Sequence, residues 1–201
     1  FRSLGMEVLG IEGASKSWEI SEADGIQVVH QFFGLGSAST IKERLRPGSK
    51  VRLVLAMNVL AHTDNINEFL AEVGNLMEPD TVFVSQSHWL AALVQEFEFD
   101  TIYHEHLRYY TLKSLTRLFS RHGLHVEDAE LVDFYGGSIL VYARRSASEE
   151  SEGVKSILAE EAKIDVIESL RNMKQVLLNN RARLLSLLVD LRNAGKRVVG
   201  V

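Results

Sequence analysis

The chain has 201 residues, 46% hydrophobic and 24% charged, which allows one globular domain with its own core plus an appendage. A formal net charge of −5 excludes the basic face that nucleic-acid phosphates require. The sequence contains no apolar run long enough to span a membrane, its first residues lack a signal pattern, and the absence of cysteine excludes disulfides and thiolate metal sites. The expectation is a cytoplasmic protein handling a small molecule, with no nucleic-acid, membrane or obligate protein partner.

Residues 1–4 followed by Gly5 read as the last turn of a helix with its glycine C-cap, and residues 6–11 as a buried strand. A start in mid-pattern leads us to expect a piece of a longer protein. Glu12 follows that strand. At the carboxyl edge of a doubly wound sheet such an acid can accept hydrogen bonds from a ribose diol; a strand-end glutamate facing water fits equally well. The glycine-rich turn that normally precedes such a strand is not in the sequence, and Gly34-Leu35-Gly36 reads as an ordinary loop.

Helices are predicted over 15–24, 39–45, 64–77, 89–97 and 112–122, and further strands over 28–29, 51–56 and 81–84. This alternation predicts an α/β fold with a mainly parallel sheet covered on both faces. Residues 125–131 and 139–143 then read as two strands joined closely enough to pair antiparallel. A parallel sheet ending in an antiparallel pair is the Rossmann-like outline of class I methyltransferases, one that other α/β enzymes share. Residues 148–192 are rich in Glu, Lys, Arg and Leu, with apolar residues at three- and four-residue steps but no strict heptad, so a helical connector packed by one stripe is expected. Gly195 caps it and residues 196–201 begin another strand. The organisation expected is a core over 1–147, then a connector over 148–201 leading into a second, truncated α/β domain.

The run Ala56-Met57-Asn58-Val59-Leu60-Ala61-His62 leaves a strand and enters a helix, which places Asn58 and His62 in the crevice beyond the strand ends. Ala56, Met57 and Asn58 are candidate cofactor contacts and His62 a candidate on the substrate side. Alternatively, Thr63 or Asp64 merely caps the next helix and His62 is solvated. Tyr103, His104, Glu105, His106, Arg108, Tyr109 and Tyr110 crowd one linker between predicted helices, where ligand-facing loops concentrate titratable groups. A proton-transfer site, a metal site and a surface turn all compete there; metal is the weaker functional reading, because few other ligands cluster. Arg108 pairs with a substrate phosphate or is an exposed loop arginine. His88 and Gln86 are candidate sugar contacts at a strand end.

The string Phe99-Asp100-Thr101-Ile102-Tyr103-His104-Glu105-His106 resembles the hallmark of the sugar C-methyltransferases that make branched deoxysugars. Arg121-His122-Gly123-Leu124, Gly136-Gly137-Ser138 and Gly195-Lys196-Arg197-Val198-Val199-Gly200 are similar to further strings of that family, in the same order. The resemblance implies an S-adenosylmethionine cofactor and a nucleotide-linked keto-sugar substrate. It also implies an upstream zinc-binding head with four cysteines, so zinc is expected only outside these residues. Tyr103, Glu105, His106 and His62 match its active-site residues, Glu12 its ribose-binding acid, and Asn58 its cofactor-side loop. Two departures lie near the expected sugar pocket: Ser85-Gln86-Ser87-His88-Trp89 replaces a Glu-x-Pro-Tyr-like stretch, and Tyr135 stands where histidine is common.

Methylating a carbon next to a ketone requires a base near that carbon and donors for the enolate oxygen. The expectation is that His106 removes the proton, Glu105 orients or polarises the site, and Tyr103 and His62 stabilise the enolate. O- or N-methylation of another small molecule, or a non-catalytic remnant of the fold, are the alternatives.

Overall fold

The computed structural model describes residues 1–147 and 149–200. Strands β1 (Leu9–Ile11) and β2 (Gln27–Val29) form one parallel pair, and β3 (Leu53–Met57) and β4 (Val82–His88) a second. The last two strands, β5 (His125–Val132) and β6 (Ser138–Arg144), form the expected antiparallel pair, with β6 also antiparallel to β4, so the larger sheet runs β3-β4-β6-β5. The helices are α1 (Ser15–Ala23), α2 (Ser37–Arg44), α3 (Ile66–Leu76), α4 (Leu90–Gln95), α5 (Leu112–Ser120), α6 (Glu152–Glu161) and α7 (Val166–Asn193).

Strand periodicity places the core on one face of the larger sheet. Ala56, Phe83, Ala129 and Val141 pack with Leu70 and Val73 of α3 and Leu112, Leu115 and Phe119 of α5. Phe83 and Phe119 are fully buried with ring centroids 5.4 Å apart, a contact that stabilises by about 0.5–1.5 kcal/mol beyond area burial. Residues alternating with these, Leu55 and Met57, are 45% and 46% exposed on the other face. The edges of β1 and β3 flank a cavity of about 530 Å³ whose lining includes Leu9, Ile11, Leu53, Leu55, Ala56 and Val59.

Several expectations need correction. Strand β4 continues beyond residue 84 through Ser85, Gln86, Ser87 and His88, because each has a partner on β6; ladder pairing overrides the low strand propensity of Ser and Gln. Residues 196–200 form no strand, since an extended segment needs a neighbouring edge to become one; Val201 lies outside the described residues. The cap of α3 is neither Thr63 nor Asp64 but Asn65, whose side chain accepts from the Glu68 amide at 3.2 Å. The connector is helical as expected, as α6 and α7, but its apolar stripe packs only in part: Met173 is buried against Leu93 and Val94 of α4, whereas Ile167, Leu184, Leu187 and Leu188 of α7 are exposed.

Candidate active site

The carboxyl ends of β1, β3 and β4 carry the candidate residues, as expected of a doubly wound sheet. Glu12 follows β1, and its Oε1 accepts from the Ala14 amide at 2.8 Å at the start of α1. Asn58 follows β3 with φ 54, a left-handed conformation that asparagine tolerates better than most residues. Its amide donates to the Gln86 carbonyl at 3.0 Å, tying the end of β3 to β4. The cavity between β1 and β3 reaches Ile11, Ala56 and Val59, the immediate neighbours of Glu12 and of the Met57-Asn58 turn. Ala56 is 2% exposed and belongs to the core, whereas Met57 is 46% exposed.

Beyond Asn58 a single 3-10 turn, Leu60–His62, presents His62. The hallmark segment meets it there: the His62 and His106 rings lie 4.8 Å apart, centroid to centroid, and the Tyr103 ring lies 4.3 Å from His106. The local chain explains this placement. Phe99–Thr101 forms another 3-10 turn, and the His106 amide donates to the Tyr103 carbonyl at 3.1 Å, closing a second turn that folds both rings to one side.

The hydrogen bonds assign the His106 tautomer. Nδ1 is 2.7 Å from the Thr101 carbonyl oxygen, which only accepts, so Nδ1 carries a proton. In the neutral imidazole Nε2 is then the basic atom, and the Tyr103 hydroxyl donates to it at 3.2 Å. The Tyr109 hydroxyl donates to the same Thr101 carbonyl at 3.2 Å, and burial pushes its pKa up. Buried Tyr110 donates to the Leu60 carbonyl at 3.3 Å, and burial pushes its pKa up to about 12.

Glu105 and His104 are exposed, and neither side chain makes a hydrogen bond or ion pair among the described residues. Gln86 is buried and donates to the Ser138 hydroxyl at 3.2 Å. His88 Nε2 meets Glu98 Oε2 at 2.7 Å. Tyr135 is 73% exposed in a left-handed conformation, φ 51. Arg108 is half-buried rather than an exposed loop arginine, and its guanidinium donates to the carbonyls of Thr63 and, at 2.9 Å, Asp64. No group of three His, Asp or Glu residues that could hold a metal occurs among the described residues.

Glu98 carried no sequence signal, and Thr101, although inside the hallmark string, gave no sign of its own role. Thr101 acts through its carbonyl, which any residue would supply. Glu98 holds His88 with its carboxylate while its carbonyl accepts from the Thr101 amide and hydroxyl at 3.2 and 2.8 Å, so it links the end of β4 to the turn beneath His106.

The family described as Methyltransferase domain matches residues 9–129. The chain belongs to that family. A second family, described as C-methyltransferase C-terminal domain, matches residues 133–201, so β6 lies within the second match although it pairs with β4 and β5 of the first. This methyltransferase-family chain is 34% identical over 163 residues to C-methyltransferase NovU of Streptomyces niveus, a match covering 80% of the chain and 38% of that relative. The chain therefore spans well under half the length of the curated relative it matches. A SAM-dependent methyltransferase from Thermotoga maritima superposes with a TM-score of 0.52 at 12% identity, over 69% of this chain and 73% of the other. A second, from Clostridium acetobutylicum, superposes at 0.50 and 10% identity over 71% and 76%. These likenesses bear out the class I methyltransferase fold, and the resemblance read at residues 99–106 is borne out at the level of the C-methyltransferases.

Proposed function

We propose that this chain is the core of an S-adenosylmethionine-dependent C-methyltransferase that alkylates the carbon next to a ketone in a nucleotide-linked deoxysugar. The observation that carries the reading is the convergence of His62, His106 and Tyr103, with ring centroids 4.8 and 4.3 Å apart, on a segment similar to the sugar C-methyltransferase hallmark. Residues 1–147 act as the methyltransferase core and 148–201 as the connector into a C-terminal domain. The work of the protein is in the cytoplasm.

S-adenosylmethionine, when bound, supplies an electrophilic methyl group. The residues at the strand ends suit its nucleoside: the Glu12 carboxylate is anchored through one oxygen on Ala14, leaving the other for a ribose diol, and Met57 and Asn58 flank the same cavity end. The remaining chemistry belongs to this chain. His106 Nε2, basic because Nδ1 is held on Thr101, takes the proton from the carbon acid. The Tyr103 hydroxyl, which donates to that nitrogen at 3.2 Å at rest, turns to the enolate oxygen when substrate binds and so frees Nε2, and His62 donates to the same oxygen as charge develops on it. Glu105, exposed next to His106, orients or polarises the site, and Gln86, His88 and Tyr135 are the residues proposed as sugar contacts. A base placed in this way accelerates proton transfer roughly 100- to 10,000-fold.

The test is the product. The full-length protein, given carbon-13 methyl-labelled S-adenosylmethionine and a nucleotide-linked 4-keto-6-deoxyhexose, is expected to yield a methyl resonance coupled to a ring carbon. A methyl bound to oxygen or nitrogen would replace C-methylation with heteroatom methylation, and no product across keto-sugars would remove the substrate class.

A further inference from the structure

Arg108 has no part in the chemistry just described, yet the chain keeps this long cation half-buried, two residues after His106. Its guanidinium reaches the carbonyls of Thr63 and Asp64. These two carbonyls follow His62 directly and precede Asn65, the cap of α3, so they lie outside the α3 hydrogen-bond ladder and need donors. The residues on either side of Arg108 are fastened to the same short stretch: the Leu107 amide donates to the Ala61 carbonyl at 2.9 Å, and the Tyr110 hydroxyl to the Leu60 carbonyl. Residues 107–110 thus stitch the His106 segment onto the turn that carries His62. Arg108 is the charged stitch, and the one that grips the chain on the far side of His62.

We propose that Arg108 is a positioning residue: its guanidinium, forked over the Thr63 and Asp64 carbonyls, fixes His62 against His106. A planar guanidinium presents two parallel donors in a fixed geometry, which suits two successive carbonyls; the three donors of an ammonium radiate from one nitrogen and lack that fixed fork. With two of its five donors turned onto the backbone, Arg108 serves the spacing of the two imidazoles. The contact stands on geometry alone, and its kinetic consequence rests on the C-methylation reading.

The experiment uses the full-length protein with carbon-13, nitrogen-15 histidine and the variants Arg108→Ala and Arg108→Lys. The wild-type protein should give a nuclear Overhauser contact between the His62 and His106 ring protons. Arg108→Ala should lose it, and Arg108→Lys should retain it weakened. In turnover, Arg108→Ala should lower kcat roughly 10- to 100-fold, the scale expected when a catalytic group is displaced by about 1 Å, while KM for the nucleotide-sugar moves less than about 3-fold. Should Arg108→Ala fail to fold, the lysine variant carries the same comparison. An undiminished contact in a folded variant overturns the proposal, and so does a raised KM at constant kcat, which would assign Arg108 to the phosphate. If the wild-type protein forms no C-methyl product, the function proposed above fails, but the ring contact still decides the role of Arg108.

Discussion

Replacing Gly136 by alanine should destabilise the protein by an amount readable from two separate causes. Gly136 has φ +78, a left-handed conformation that costs an alanine about 1–2 kcal/mol. A methyl built there would also lie 1.6 Å from Glu98 Oε1, so the carboxylate must leave. Glu98 is held by His88 at 2.7 Å, with side chains only 20% and 9% exposed, and losing a hydrogen bond to a charged group costs about 1.5–3 kcal/mol. The two effects together come to about 2.5–5 kcal/mol, or roughly 5–20 °C in Tm for a chain of this size. Gly123 supplies the control, because its φ is +67 but nothing lies within 4 Å of an added Cβ; Gly123→Ala should carry only the conformational cost. Urea denaturation of Gly136→Ala, Gly123→Ala and the double variant Glu98→Ala/Gly136→Ala measures the difference. Equal midpoints for the two glycine variants would refute the reasoning, as would a Gly136→Ala defect unchanged by removing Glu98.

Glu161 of α6 accepts from the Trp89 indole at 2.8 Å and from the first amides of α5, Leu112 and Lys113. Glu161→Ala should therefore cost about 2–3 kcal/mol, from one cap and one buried donor left unmade, and should alter tryptophan fluorescence. Tyr110 gains a pH signature from its burial. Because its folded pKa is raised to about 12 from 10.0, the folded state holds the proton more tightly, and stability present below pH 10 should fall as pH rises toward 12. Tyr110→Phe should flatten that fall in urea midpoints measured from pH 9 to 12, and an unchanged slope would contradict it. Glu12→Gln in the full-length protein should weaken S-adenosylhomocysteine binding by about 10-fold in calorimetry, since hydrogen bonds to a charged acceptor exceed those to a neutral one by about 1–1.5 kcal/mol; equal affinity would remove Glu12 from the cofactor site.

The legible parts of the fold are those where local pattern and tertiary demand agree. In α5 the spacing of Leu112, Leu115 and Phe119 gives one buried stripe, and Thr111 with Ser114 forms a capping box at its start; both signals are written in adjacent residues. The polar end of β4 was not legible because Ser85 to His88 become strand only through β6, a partner far along the chain. The reverse holds at residues 196–200, whose strand-like composition finds no edge. In the site, the residue types of the 103–110 cluster announced themselves, and the family resemblance paired His106 with His62. What composition could not reveal were backbone roles: the Thr101 carbonyl that fixes the His106 tautomer, the left-handed turn at Asn58, and the two carbonyls that occupy Arg108.

The proton on the carbon acid tests the central claim most directly. In deuterated water, without a methyl donor present, the full-length protein should exchange the proton next to the sugar ketone, and His106→Ala should slow that exchange roughly 100- to 10,000-fold. Exchange at an undiminished rate in a folded His106→Ala variant would show that another group is the base, and that the joined rings of His62 and His106 serve something other than enolate formation.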